Sequence, residues 1–271
     1  MTIFGMTRVK NEGRWIKQVL ESYLPLCERI WVFDDHSGDG TPEIAEKLDE
    51  RITVLRSQFP ENVLDEKRDK DLLLSRVMGS VSDIHLRGNP KSPFWALAFD
   101  GDELLDMHAP SVIHSYLATT NAYSFKLPIR YQWDSDLSLV HLMGHRRVRV
   151  DGVYGTFARP SIFRLFNAAV QYQSTPWGGN FHCSSSPPEL LGCAHETLPA
   201  TIWHLGYNDR ADRVRKFQWY SNIDPNNPAE DRYRHMIAGD VPVNAPGFPA
   251  GFEVPADAKL KHAGPLKLEM M

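Results

Sequence analysis

Three carboxylates, Asp100, Asp102 and Glu103, follow directly on the apolar run Phe94 to Phe99. Held this close, they repel one another unless a cation or protons compensate them. Magnesium and manganese are hard cations that bind such oxygens, commonly through one or two carboxylates together with the phosphates of a substrate. Gly101 between the aspartates would let the backbone turn sharply and let a phosphate come close. The plain alternative is an acidic turn that ends a strand in solvent. A second acidic pair, Asp34 and Asp35, closes the run Arg29 to Phe33 and could accept hydrogen bonds from a ribose or from a base N–H group. Its alternative is a turn-forming Asp pair ahead of HSGDG. Arg68 and Arg76 could meet a diphosphate. So could Arg210, Arg213 and Lys216, spaced at i, i+3 and i+6, although a solvated charged face explains either set equally well. The basic segment His145 to Arg149 could meet an anionic partner or pair with the acids. His182, Cys183, Cys193 and His195 have the types that bind zinc, but their spacing fits no common zinc pattern.

These residues have to be positioned by strands and helices, and the first hundred residues alternate between the two. Ile3 to Thr7 reads as a strand. Trp15, Ile16, Val19, Leu20 and Tyr23 recur with helical spacing, with Asn11 as the expected N-cap and Pro25 as the stop. Arg29 to Phe33 is a second strand. A helix is expected with Thr41 as N-cap and Pro42 at its first position, followed by a strand over Ile52 to Arg56 and a helix over Leu64 to Met78. Phe94 to Phe99, apolar without alternation, has the pattern of a central strand buried on both faces. Such alternation implies a parallel sheet with right-handed crossovers, and open α/β sheets bind ligands outside the carboxyl ends of their strands. The acids lie there.

After Glu103 the rhythm changes. Ser111 to Leu117 is a short helix, while Ala122 to Trp133, Leu137 to Val150 and Ser161 to Phe166 read as antiparallel strands. Ser174 to Pro188 is a loop-rich segment that could cover a site. Asn208 to Tyr220 is helical with Val214 and Phe217 facing inward, and Asn227 to Glu230 has capping-box spacing for another helix. The expected organisation is one compact body with halves 1–105 and 106–239 and a Pro/Gly-rich tail, 240–271.

Composition narrows the function classes. The 271 residues are 42% hydrophobic and 24% charged, as in globular proteins, and the net charge of −4 gives no electrostatic reason to expect nucleic acid or an anionic membrane as partner. No run approaches the roughly 20 apolar residues of a transmembrane span. There is no cationic and apolar leader, and the three cysteines form no disulfide framework, so the expected location is the cytoplasm, with membrane association through the tail left open. The Gly-x-Gly of SGDG lacks the third glycine of a dinucleotide fingerprint and follows the second strand. No Walker A or G-x-S-x-G pattern is present.

The segment MTRVKNEGRWIKQVLESYLPLCERIWVFDDHSGDGTPEIAEKL strongly resembles the start of family 2 glycosyltransferases, whose pattern is strand, NE, helix, strand, DD.S.DGT, helix. Some sixty residues later, FDGDE resembles the D-x-D element of the same family. The resemblance covers about the first 105 residues. It implies an α/β fold of GT-A type, Rossmann-like, with a mixed, mostly parallel central sheet flanked by helices and an α+β acceptor half. It also implies a nucleotide pocket lined by Thr7, Arg8, Glu12, Asp34 and Asp35, and places the metal and the donor diphosphate at Asp100 and Asp102. His36 departs from the family's small residue there, which leaves the shape of the base pocket open. Looser is the likeness of CAHETLPATIWHLGYNDRADRVRKFQWY to the HE … HxGY … K … Y ending of some bacterial relatives.

Within that ending, His204 closes the apolar run Thr201 to Trp203, and a neutral imidazole can be a further metal ligand or a satisfied half-buried side chain. Glu196 is the candidate general base, since an acceptor hydroxyl must lose its proton as it attacks the anomeric carbon; a surface Glu is the alternative. The implied activity is a glycosyltransferase that uses Mn2+ or Mg2+. Its donor would be a nucleotide-diphosphate sugar, with a UDP-sugar the first expectation, and a saccharide or another hydroxyl would accept the sugar with inversion. A nucleotidyltransferase is a weaker rival, because RVKNEGRW holds one glycine where such an enzyme has a glycine-rich basic loop. A non-catalytic nucleotide-sugar-binding module is the other.

Overall fold

The structure, a computed structural model, describes residues 1–61, 65–87, 93–133, 139–141, 158–165, 183–187, 190, 195–206 and 210–223. Its N-terminal part alternates strand and helix: β1 (Thr2–Val9), α1 (Ile16–Tyr23), β2 (Arg29–Asp34), α2 (Thr41–Leu48), β3 (Ile52–Arg56), α3 (Glu66–Arg87) and β4 (Phe94–Asp100). There follow β5 (Glu103–Leu105), α4 (Ala109–Thr119), β6 (Ser124–Trp133), β7 (Leu139–His141), β8 (Ala158–Leu165), β9 (His195–Thr197), β10 (Ile202–His204) and α5 (Arg210–Ile223). Strand order is β3-β2-β1-β4-β8-β6-β10-β5, with β7 and β9 pairing to β6 off that path. The first four strands of this order are parallel, and β8 runs antiparallel to β4. This is the mixed, parallel-cored α/β architecture expected from the alternation of the first hundred residues.

Two compact units divide the chain, Met1–Pro128 with Arg159–Ile202, and Ile129–Ala158 with Trp203–Met271. In the first, Phe94 to Phe99 are all buried, and the neighbours of β4 on either side are β1 and β8. A strand hemmed in like this needs apolar residues on both faces, which explains why FWALAF does not alternate. One face packs Phe4, Met6, Ala96 and Ala98 against Leu73, Leu74, Val77 and Met78 of α3. α1 buries Ile16, Val19, Leu20 and Tyr23, and the Tyr23 ring lies flat on Phe99 with centroids 3.7 Å apart.

Three helix ends differ from expectation. Asn11 does not cap α1; it stands five residues before the helix in the left-handed region, with φ 56°, and serves the loop instead. α2 is preceded by Gly40 at φ 85°, so Thr41 begins the helix proper and its hydroxyl is used elsewhere. α3 runs past Met78 to Arg87, burying Val81 beyond the expected end. Among the described residues, no helix is long and apolar enough to cross a membrane.

In the second unit, Tyr131–Trp133 of β6 pair antiparallel with Leu139–His141 of β7. On α5 the buried residue is Arg213, while Val214 and Phe217 are only partly covered. The helix expected from Asn227, the tail from Asp240 and most of Ser174 to Pro188 lie outside the described residues.

Candidate functional site

The carboxyl edge of the parallel strands gathers most of the predicted residues. In register, Val9 of β1 stands opposite Asp34 of β2, and Arg8 stands opposite Asp100 of β4. Asp34, Arg8 and Asp100 therefore lie on three neighbouring strands, at the edge where such sheets hold ligands. Thr7 and Asp34 are buried, yet among the described residues Thr7 Oγ1 and Asp34 Oδ1 meet no hydrogen-bond partner. Buried polar atoms are nearly always paired, so these two oxygens are acceptors in search of a donor, and the Thr7 hydroxyl is also a donor.

Beside them lies an ion network. Arg8 Nη2 donates to Asp35 Oδ2 at 2.5 Å and Arg8 Nε to Asp69 Oδ2 at 2.8 Å. Arg68 donates twice to Asp69 Oδ1, at 2.9 and 2.7 Å, and its guanidinium stacks on Phe59 with Cζ 3.6 Å from the ring centroid. Lys10 Nζ is 3.7 Å from Asp35. Burial works against the charge on Arg8, but the hydrogen bond to Asp69 and the charges of Asp35, Glu66 and Asp69 outweigh it and raise its pKa. Asp69 has 0% exposure and was not anticipated. Its signal was available: four residues before Leu73 and eight before Val77, it falls on the apolar stripe of α3, although the run DEKRDKD reads as a solvated face.

Two loops beside this network are tied to each other. Asn11 N–H donates to Ser37 Oγ and Gly38 N–H to Asn11 Oδ1, both at 2.8 Å. Glu12 N–H donates to Thr41 Oγ1 at 2.9 Å and Gly13 N–H to Asp39 Oδ2 at 2.8 Å. The NE segment and the DD.S.DGT segment thus hold one shape. His36, also at positive φ (57°), sets its Nε2 2.7 Å from the Phe59 carbonyl.

The third cluster is the acid turn. Arg159 of β8 donates from Nη1 to Asp100 Oδ2 at 2.9 Å and from Nη2 to Glu103 Oε2. The Asp100 N–H donates to the same Glu103 oxygen at 2.9 Å. Burial pushes the Glu103 carboxyl up to about 7, Arg159 opposes the rise, and the charges of Asp100 and Asp102 add to it. The Asp100 side chain is 49% exposed, whereas Asp102 and Glu103 are buried. A Cβ on Gly101 would lie 2.7 Å from Val9 Cγ1 and 3.0 Å from Glu12 Cγ. The missing side chain therefore makes room for Val9 and Glu12. Arg159 was missed because it is 59 residues from Asp100 and no local spacing links them.

Among the described residues, no group of three or more His, Cys, Asp or Glu is arranged to hold a metal ion. Asp100, its side chain 49% exposed, and the buried Asp102 nonetheless offer hard oxygen donors, the type that suits a divalent cation shared with a phosphate. Glu196 is exposed on β9, its backbone opposite Phe125 of β6. His204 ends β10 in the second unit and is half-buried. Arg76 and Arg210 are exposed. His145 to Arg149, His182 and Cys193 lie outside the described residues.

No known family profile matches this sequence, and no curated protein matches it. Solved structures with a similar chain path include S. aureus TarS 1-349 in complex with UDP-GlcNAc, at 13% identity and a TM-score of 0.43, covering 88% of this chain and 71% of that one. The Mycobacterium tuberculosis glucosyl-3-phosphoglycerate synthase in complex with Mn2+, UDP and phosphoglyceric acid matches 48% of this chain and 43% of its own, at 19% identity and a TM-score of 0.33. Mannosyl-3-phosphoglycerate synthase from Rubrobacter xylanophilus matches 56% and 44%, at 15% identity and a TM-score of 0.35.

Proposed function

We propose that the chain is a metal-dependent glycosyltransferase of family 2 type, moving a sugar from a nucleotide-diphosphate donor, a UDP-sugar first, to an acceptor hydroxyl with inversion. The observation that carries this reading is the register of Asp34, Arg8 and Asp100 along one carboxyl edge, with the unsatisfied oxygens of Thr7 and Asp34 beside it. Asp34 and Thr7 would take the polar edge of the nucleoside. Arg8, fixed by Asp35 and Asp69, supplies a positive charge that needs no reorganisation when the donor arrives. Glu12, packed against Gly101, would close the pocket floor.

Asp100 and Asp102 would hold Mn2+ or Mg2+. When bound, the metal would act as a Lewis acid that offsets charge on the departing diphosphate. Residues 1–105 would hold the donor and 106–239 the acceptor. Glu196, whose exposure leaves its carboxylate open to a hydroxyl, would take the acceptor's proton as the oxygen attacks the anomeric carbon from the face opposite the leaving group.

Binding of UDP followed calorimetrically with and without Mn2+ tests the reading. Wild type should bind UDP with Mn2+ present and lose most of that binding in chelator. Asp102→Ala should lose the Mn2+-dependent part. Manganese-dependent UDP binding unchanged in Asp102→Ala would refute the assignment. Glu196→Gln should keep UDP binding and lose transfer by about 10²-fold or more.

A further inference from the structure

The acid turn already holds a cation. Arg159 reaches Asp100 with Nη1 and Glu103 with Nη2, so one guanidinium spans the two ends of the D-G-D-E turn. Of the two carboxylates it joins, Glu103 is buried and Asp100 is half-exposed. The hold on Glu103 is shut away from solvent, whereas the hold on Asp100 is open to it. Asp100 is also the carboxylate that stands opposite Arg8. A divalent ion that takes an oxygen of Asp100 meets a bond that Arg159 already makes.

We infer that Arg159 is a resident counter-cation of the donor site, which competes with the divalent metal for Asp100 and, once displaced, turns its freed N–H groups to the phosphates of the nucleotide. The inference rests on the donor-site reading above and deepens it. Three consequences follow from charge alone. Without nucleotide, the metal must displace a hydrogen-bonded guanidinium, so it binds weakly. With a nucleoside diphosphate present, Arg159 exchanges one anionic partner for another and the metal gains phosphate oxygens, so the two ligands bind cooperatively. Glu103 keeps hold of Nη2 throughout and acts as the hinge, which makes it a positioning residue. No covalent step is involved.

The test measures Mn2+ binding by the loss of its free EPR signal, and UDP binding by calorimetry, on wild type, Arg159→Gln and Arg159→Lys. In wild type, Mn2+ and UDP should each tighten the other. In Arg159→Gln, Mn2+ without UDP should bind about tenfold tighter, the size of one charged hydrogen bond no longer competing. The mutual tightening should shrink by a similar factor. Arg159→Lys keeps the charge but cannot span both acids, so it guards against a folding failure of the first variant, and its Mn2+ affinity should fall between the other two. The inference is overturned if neither variant binds Mn2+ alone more tightly than wild type while all three retain Mn2+-dependent UDP binding. If no protein, wild type included, binds Mn2+ or UDP, the donor-site reading fails and the inference with it.

Discussion

Asp69 is a carboxylate with 0% exposure between two guanidiniums. Removing one partner of a buried ion cluster leaves the others uncompensated, which typically costs 3–5 kcal/mol. Asp69→Ala should therefore lower the free energy of unfolding by about 3 kcal/mol or more, read from the urea midpoint at constant slope, and Asp69→Asn should lose somewhat less. Lys67→Ala, which removes a partly exposed pair with Asp71 on the same helix, should change stability by less than about 0.5 kcal/mol. A second residue-scale expectation concerns Cys27, buried between α1 and the sheet. Burial drives its thiol up to about 12 against the pull of Arg51, so at pH 8 it stays protonated in the folded protein. In a Cys183→Ser, Cys193→Ser background, labelling of native protein by a thiol reagent at pH 8 should be negligible and should appear on adding denaturant.

At the scale of elements, the parallel strands were legible because their message is local: FWALAF is apolar on both faces, and it lies buried between β1 and β8. The end of α3 was not, because Gly79 and Ser80 look like a stop but the helix continues to bury Val81. The role of Asn11 was also hidden. An Asn before a periodic run signals a cap, whereas this one takes left-handed backbone and spends its side chain on Gly38. Replacing Asn11 by Gly keeps the backbone affordable and loses the contact, while Asn11→Val also has to bear an unfavourable φ. The Val variant should accordingly be the less stable, by roughly 1–2 kcal/mol. The acid turn gives a sharper case. An added Cβ on Gly101 would sit 2.7 Å from Val9 Cγ1, with Val9 itself buried, so Gly101→Ala should cost about 1–3 kcal/mol and weaken UDP binding by shifting Asp100, both measurable in one titration series.

For the whole molecule, the candidate site divides by sequence distance. Thr7, Arg8 and Asp34 come from the first two strands, with Asp35 directly after the second, and their pattern could be read because neighbouring parallel strands bring their ends together. Asp69 and Arg159 arrive from α3 and β8 by tertiary packing, which no local spacing announces. If the folded chain binds UDP and Mn2+ cooperatively, mass action requires the melting temperature to rise most when both are present, by the equivalent of about 2.7 kcal/mol at a hundred times the dissociation constant. Adding chelator should remove most of that rise. A rise with UDP alone, undiminished by chelator, would point to a nucleotide site without metal.

The bonds that join Asn11, Glu12 and Gly13 to Ser37, Gly38, Asp39 and Thr41 have one more implication, for exchange with solvent. The amides of Asn11, Glu12, Gly13 and Gly38 each donate across the gap between two loops, so none can open while the other loop stays put. Their deuterium uptake should be correlated, in a single step with one opening free energy, although the two segments lie more than twenty residues apart. By the same reasoning, a graft of either loop alone onto another parallel-sheet scaffold would arrive without the half that shapes it. The two loops are heritable only as a pair.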